Sequence, residues 1–453
     1  MMIKTPAGAQ SLPKPKGRKR WVVLSLLCLL ALINNIDRLA LSIAAPAMQS
    51  ELGLSATSIG LLGSAFSLFY ALGQLPSGWF VDRFGPRKLL GFSVLVWSAA
   101  TAAMGFLGNL PGLLAARACL GLAESPSLPS TNKIVTQWFP KKEHGFANGC
   151  WDSALKAGPA FFTVLLVWIV AEFGWREMFI VAGIAGVVVA GVFMACYRDL
   201  DHSPKVTGEE VAYIRQDTQG VVEEGPRVPW ASLFGKRSMW GMMGGYFCNL
   251  WVYQIFLVFI PLFIINQFGV KFASLGLIAS VPWIGAIVGD LASGLISGKL
   301  SERPGWTTLK AKKVTIVASM LLQAVVLAMI PFNGLFGEGA GLAIAVTLMA
   351  FALGFNGAVV AHAWSLPCEV TTPSTVASVG SIQNFGGFIG ATLSPLVAGL
   401  VIDATHSFNL VFYISAGVAV LSALFYHFGV RQPIVSAQAQ GQAPTSAIKG
   451  ALV

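Results

Sequence analysis

The sequence predicts an all-α integral membrane protein with twelve transmembrane helices in two six-helix bundles. Three observations lead there. The 453 residues are 55% hydrophobic and only 11% charged, where a soluble domain carries about 25% charged residues. Apolar runs of about 20 residues, long enough to cross the hydrocarbon of a bilayer, recur along the whole chain. Lysine and arginine are confined to alternate connections between those runs, as the positive-inside rule requires.

In chain order, the runs fall near 21–47, 57–80, 88–108, 111–135, 146–170 and 176–197. After a polar stretch they resume near 239–266, 274–299, 313–332, 340–363, 376–402 and 409–430. Backbone groups in lipid must bond within their own segment, so each run reads as a helix, and no alternating barrel pattern is present. The expected organisation is an N-terminal tail at 1–20, a first bundle at 21–197, a linker at 198–238, a second bundle at 239–430 and a C-terminal tail at 431–453. The first run is too long for the apolar core of a signal peptide and is interrupted by Asp37-Arg38, so it reads as an uncleaved span.

The basic residues lie in the N-terminal tail, in loops around 83–88 and 141–142, in the 198–237 stretch and in the 299–313 loop; the opposite loops hold only Arg176 and Lys271. Both termini and the even-numbered connections are therefore expected in the cytoplasm, with the protein in the cell inner membrane. The net charge of +10 is spread over these loops rather than over one soluble face, which excludes a nucleic-acid partner. The linker, with its Glu, Gly and Pro, contains a short amphipathic piece, EEVAYIRQ. The Gln-, Ala- and Ser-rich tail has the composition of a disordered segment. The six cysteines lie in or beside apolar runs without C-x-x-C pairing, so they read as small core residues rather than metal ligands or disulfides. No phosphate-binding G-x-x-x-x-G-K-[ST] loop is present, which argues against a pump driven by ATP. No metal or cofactor is implied, and a monomer is expected. Many of the 49 glycines lie inside spans, where small residues let helices approach closely.

After the second span comes GWFVDRFGPRK, Gly78 to Lys88. Gly85-Pro86 makes a turn, while Asp82 lies between basic groups and is placed to pair with Arg83, Arg87 or a helix terminus, holding one conformation of the carrier. With Gly78, these residues follow the spacing G-x-x-x-D-R-x-G-x-R-K. In this the chain resembles the major facilitator superfamily, whose signature lies between its second and third spans. The resemblance implies two six-helix halves around a central cavity. The matching loop of the second half, 289–313, is a degraded copy that keeps Gly294 and several basic groups.

Charged residues inside spans are the main pointer to function. Each costs roughly 2.5–3.5 kcal/mol at mid-membrane on insertion scales and usually lines a substrate or ion path. The first span carries Asp37 and Arg38. The fourth carries Arg117 and Glu124, seven residues apart on nearly the same helix face, with Gly121 between them leaving room for a ligand or water. The run R-x-x-x-G-x-x-E-x-P-x-x-P (Arg117, Gly121, Glu124, Pro126, Pro129), together with Asp37-Arg38, resembles the anion:cation symporter family. That family includes permeases for galactonate, hexuronates, glucarate and phthalate.

This resemblance implies that Arg38 and Arg117 attend a substrate carboxylate and that Asp37 and Glu124 are protonation sites. The chemistry agrees: a guanidinium keeps its charge and offers a fork that fits a carboxylate. Burial favours the neutral form of a carboxyl and a neighbouring guanidinium favours the ionised one. Anion binding can therefore alter the carboxyl's proton affinity. Fixed salt bridges that only align helices are the alternative. Tyr70, Asn384 and Trp364 match polar or aromatic substrate-site positions of the family; packing also accounts for Tyr70 and Asn384, and accounts better for Trp364. Asn34 and Asn35 stand where several relatives carry an aromatic residue, which suggests a more polar pocket or an amide holding Asp37.

Asp152 and Lys156, four residues apart in the fifth span, have the spacing of an ion pair. Lys156 is roughly ten residues into the span, about 15 Å deep. Either it is a third cation favouring a more strongly anionic or differently shaped acid, or the pair neutralises itself. His362 is a candidate proton relay or a polar helix contact. Taken together, the residues suggest a carrier, not an enzyme, that imports an organic anion such as a sugar acid with protons. An exchanger or effluxer on the same fold is the alternative, and a membrane sensor a more distant one.

Overall fold

The computed structural model describes residues 17–200, 203, 206–215, 230–371 and 375–431. The C-terminal tail and most of the linker beyond Arg215, read above as disordered and as a connector, lie outside them. The first helix, α1 (Lys19–Leu52), ends at Gly53, whose φ of 63° is a left-handed conformation suited to glycine. Ser55 accepts a bond from the Ser58 amide and so caps α2 (Ala56–Phe84). Gly85, at φ 78°, and Pro86 then turn the chain into α3 (Pro86–Met104). Asn109 caps α4 (Leu110–Glu124) through the Gly112 amide. The fourth span is not one helix: it breaks at Ser125-Pro126, where proline has no amide to donate, and resumes as α5 (Ser127–Trp138). The first half closes with α6 (Lys141–Phe173) and α7 (Trp175–Cys196).

Two short helices, α8 (Gly208–Arg215) and α9 (Trp230–Phe234), belong to the linker. The amphipathic piece is α8, and it docks under the first half. Its buried Glu210 accepts from the Arg20 amide at 3.2 Å, and its Tyr213 hydroxyl donates to Glu143 at 2.7 Å. The second half comprises α10 (Arg237–Phe268), α11 (Phe272–Ser301), α12 (Thr308–Met329), α13 (Glu338–Val370), α14 (Val376–Thr405) and α15 (Asn409–Leu424).

Ten of these helices are individually long and apolar enough to span a bilayer. The third pass is α3 and the fourth is α4 with α5, which completes the twelve. In the first half α1 packs on α6 and α7, α2 on α4, and α3 on α7; in the second, α11 and α12 pack on α13, α10 on α14, and α12 on α15. The halves meet where α2 lies on α14, α6 on α11 and α1 on α10. The opening helix of each half is central: 67% of the apolar window of α1 and 89% of that of α10 are buried, against 33% for the peripheral α7.

Candidate functional site

The four charges of the first half converge at the centre of the molecule, but with partners other than those the spacing suggests. Arg38 of α1 reaches across to α4, where its Nε and Nη2 lie 3.0 and 2.9 Å from the same oxygen, Oε2 of Glu124. The Glu124 side chain is 0% exposed and that of Arg38 is 18% exposed, so the guanidinium is the open member of the pair. Arg117 does not bond Glu124, although both project from one face of α4. Seven residues separate them by about 10 Å along the axis, and Arg117 turns instead to backbone. Its Nε donates to the Leu62 carbonyl at 3.2 Å and its Nη1 to the Asp37 carbonyl at 3.4 Å, and the residue is 2% exposed. Asp37 is likewise not paired with its neighbour Arg38; it is 1% exposed, forms no ion pair among the described residues, and has the Thr101 hydroxyl of α3 beside its carboxylate.

Aromatic rings frame these cations. The Arg38 guanidinium lies 4.9 Å from the Tyr70 ring centre and 5.1 Å from that of Phe66, which also lies 4.9 Å from Arg117. Such contacts favour a cation that has left water. Tyr70 also meets Phe388 of α14 at 4.5 Å between ring centres, so the ring bridges the two halves. One turn further along α2, Gln74 Oε1 accepts from the Asn384 amide of α14 at 2.9 Å. Gly121 leaves no room for a ligand. A Cβ there would run into the Phe66 carbonyl and lie 3.0 Å from the Tyr70 amide, so this glycine seats α4 against α2.

The remaining candidates are placed as follows. Asn35 donates to Ala31 of its own helix at 3.3 Å rather than to Asp37, with Gly158 of α6 against its side chain. Asn34 is the amide beside Glu124. Trp364 of α13 is exposed and meets the buried Tyr246 of α10 edge to face at 6.3 Å. Tyr246 also lies within electrostatic range of Asp152, Tyr253 and Tyr70, which brings α6 and α10 to the same centre. The side chain of Lys156 is outside the described residues. His362 is buried against α11, beside Ser293 and Asp290. Phe66, Gln74, Tyr246, Tyr253 and Phe388 were not among the sequence candidates. Aromatic residues are common in spans, and only Gln74, a lone amide four residues after Tyr70, carried a signal.

At the far end of α2, Asp82 pairs with neither Arg83 nor Arg87. It takes Lys133 of α5 at 2.7 Å, while remaining 77% exposed. Arg83 stacks over Trp79 at 5.2 Å, and Arg87 donates to the last turn of α7 at the Met194 carbonyl, 2.8 Å away. Gly78 has open space around it.

Two helical halves around a buried, charge-bearing centre define the class of a membrane transporter. The profile of the Major Facilitator Superfamily matches residues 27–361, and the chain belongs to that family. It is 34% identical over 447 residues to a probable L-galactonate transporter of Escherichia coli, covering 95% of this chain and 96% of the relative. It is 31% identical over 447 residues to a probable galactarate/D-glucarate transporter of Bacillus subtilis, covering 94% and 96%. In fold it resembles the crystal structure of a D-xylose–proton symporter, with a TM-score of 0.73 at 14% identity over 91% of this chain and 98% of that one. The protein is thus a multi-pass membrane transporter and not an enzyme.

Proposed function

We propose that the protein is a proton-coupled symporter that imports a sugar acid, such as an aldonate or an aldarate, across the cell inner membrane with both termini in the cytoplasm. The observation that carries this reading is the ion pair between Arg38 and Glu124. Arg38 is the more open partner, framed by Tyr70 and Phe66, and a substrate carboxylate fits its fork in place of Glu124. The displaced Glu124 would then be a buried carboxylate without a partner, an expensive state that a proton relieves. Protonation of Glu124 and binding of the anion at Arg38 therefore favour each other, and such coupling is reciprocal.

Arg117, fixed by two backbone carbonyls, adds positive charge behind Arg38, and Asp37, buried without an ion-pair partner, is the second proton carrier. Tyr70, Asn384 and Trp364 border the sugar chain, and Lys156 on α6 adds a cation that tunes the choice of acid. The bundles at 21–197 and 239–430 rock about this centre, and Gly78, Asp82, Arg83, Gly85 and Arg87 guard the cytoplasmic opening. The names of the two relatives support a sugar acid as substrate.

Purified protein in vesicles with an imposed pH gradient, inside alkaline, should accumulate radiolabelled galactonate or glucarate, and collapsing the gradient should abolish accumulation. Accumulation that ignores the gradient would remove proton symport from the reading, and failure with every sugar acid would remove the substrate class.

A further inference from the structure

The two ends of α2 differ sharply in how they meet the second half. At its N-terminal end α2 lies in backbone contact with the C-terminal end of α14. A Cβ on Gly60 would strike the Pro395 carbonyl, and one on Gly399 would lie 2.7 Å from Thr57 Cα. At its other end, among the described residues, a Cβ on Gly78 would meet nothing within 4 Å, and neither would one on Gly380 near the start of α14. The pair α6 and α11 diverges the same way. A Cβ on Gly276 would lie 3.1 Å from Val164 Cα, whereas a Cβ on Gly145, Gly149, Gly294 or Gly298 would meet nothing within 4 Å among the described residues. The carrier is therefore closed on the side of the 53–55 and 269–271 loops and parted on the side of the basic loops.

At the closed end stands Asp403, in the last turn of α14. Its Oδ1 accepts from the Ala56 amide at 2.9 Å and its Oδ2 from the Thr57 amide at 2.8 Å. These are two of the amides that the first turn of α2 leaves without an intrahelical partner. The N-terminus of a helix carries partial positive charge and favours a carboxylate, while a carboxylate near a helix C-terminus is unfavourable. Asp403 thus destabilises its own helix and stabilises one in the other half. That is an odd position for a residue serving only the α14 fold, and it is apt for one that joins the halves.

We propose that Asp403 is the latch of this gate, and that releasing its two bonds to the α2 N-terminus is an obligatory step in opening the site toward that side. Alternating access requires the contact to break, because α2 and α14 cannot separate there while one carboxylate spans both helices. The latch rests on the alternating-access part of the function proposed above, and the following test needs no substrate, so each can fail without the other.

Spin labels at Ser50→Cys and Thr405→Cys, in full-length cysteine-replaced protein in lipid, report the latched gate. A second pair at Phe84→Cys and Ser381→Cys reports the opposite gate. Losing two charge-assisted hydrogen bonds is expected to raise the ratio of open to closed molecules at the latched gate by about tenfold or more. Asp403→Asn and Asp403→Ala should both lengthen the first distance and shorten the second, and Asp403→Glu should restore much of the original distribution. An unchanged first distance would overturn the proposal. So would a longer first distance with an unchanged second, since Asp403 would then be tying two helix ends together without governing the gate.

Discussion

The opening helices of the two halves, α1 and α10, occupy matching central positions and differ in chemistry. Both are long, mostly buried and packed against each other. Yet α1 buries Asp37 and presents Arg38, with Asn34 and Asn35 alongside, whereas the buried polar residues of α10 include Asn249, Gln254 and Tyr246 and none is a carboxyl or a cation. Burying an amide costs far less than burying a charge, and an amide neither gains nor loses a proton near neutral pH. On the function proposed above, the difference divides the labour: the first half responds to protons and holds the anion, while the second contributes hydrogen bonds and ring surfaces.

The largest expected effect breaks the charged half. Arg38→Ala leaves Glu124 buried without its partner, and severing a buried pair costs about 3–5 kcal/mol. Uptake should fall below detection, and the thermal midpoint in detergent should drop by several degrees; near-normal uptake would show that Arg38 is not the anion's partner. A packing test comes next. Gly121→Ala pushes a methyl into the α2 backbone, and overpacking of this kind costs about 1–3 kcal/mol, whereas Gly78→Ala enters open space and should leave the thermal midpoint unchanged. Equal midpoints for the two variants would mean that α4 and α2 are not seated as described. The smallest effect belongs to the second half. Asn384→Ala removes one neutral hydrogen bond to Gln74, worth about 0.5–1.5 kcal/mol, and should raise the KM for uptake several-fold while leaving its dependence on the pH gradient intact. A lost dependence would place coupling in both halves.

Much of this was legible in the sequence, and the rest was hidden for physical reasons. Twelve passes could be read because lipid demands long apolar helices, and the four central charges stood out because the same lipid penalises them. Their pairing could not be read: Arg38 and Glu124 are 86 residues apart in the chain, and only the packing of α1 on α4 brings them together. The spacing of Arg117 and Glu124 gave the correct shared face but not a bond, since two helical turns exceed the reach of a salt bridge. Gly121 looked like an opening and proved to be a contact, because a missing side chain reads the same in both cases. Ser125-Pro126 breaks the fourth span, which read as one continuous run because its apolar composition carries on past the proline. Lys133, the partner of Asp82, carried no signal beyond being a cation near a helix end, and α8 was foreseen as amphipathic without its docking site on Arg20 and Glu143.

The central claim is that Glu124 exchanges Arg38 for a proton when the anion binds. It is tested most directly by recording proton movement alongside radiolabelled sugar-acid flux in vesicles, comparing the wild type with Glu124→Gln. The wild type should take up protons with the acid, and Glu124→Gln should still exchange labelled for unlabelled acid while moving no protons with it. Proton uptake per acid equal to that of the wild type in Glu124→Gln would contradict the account.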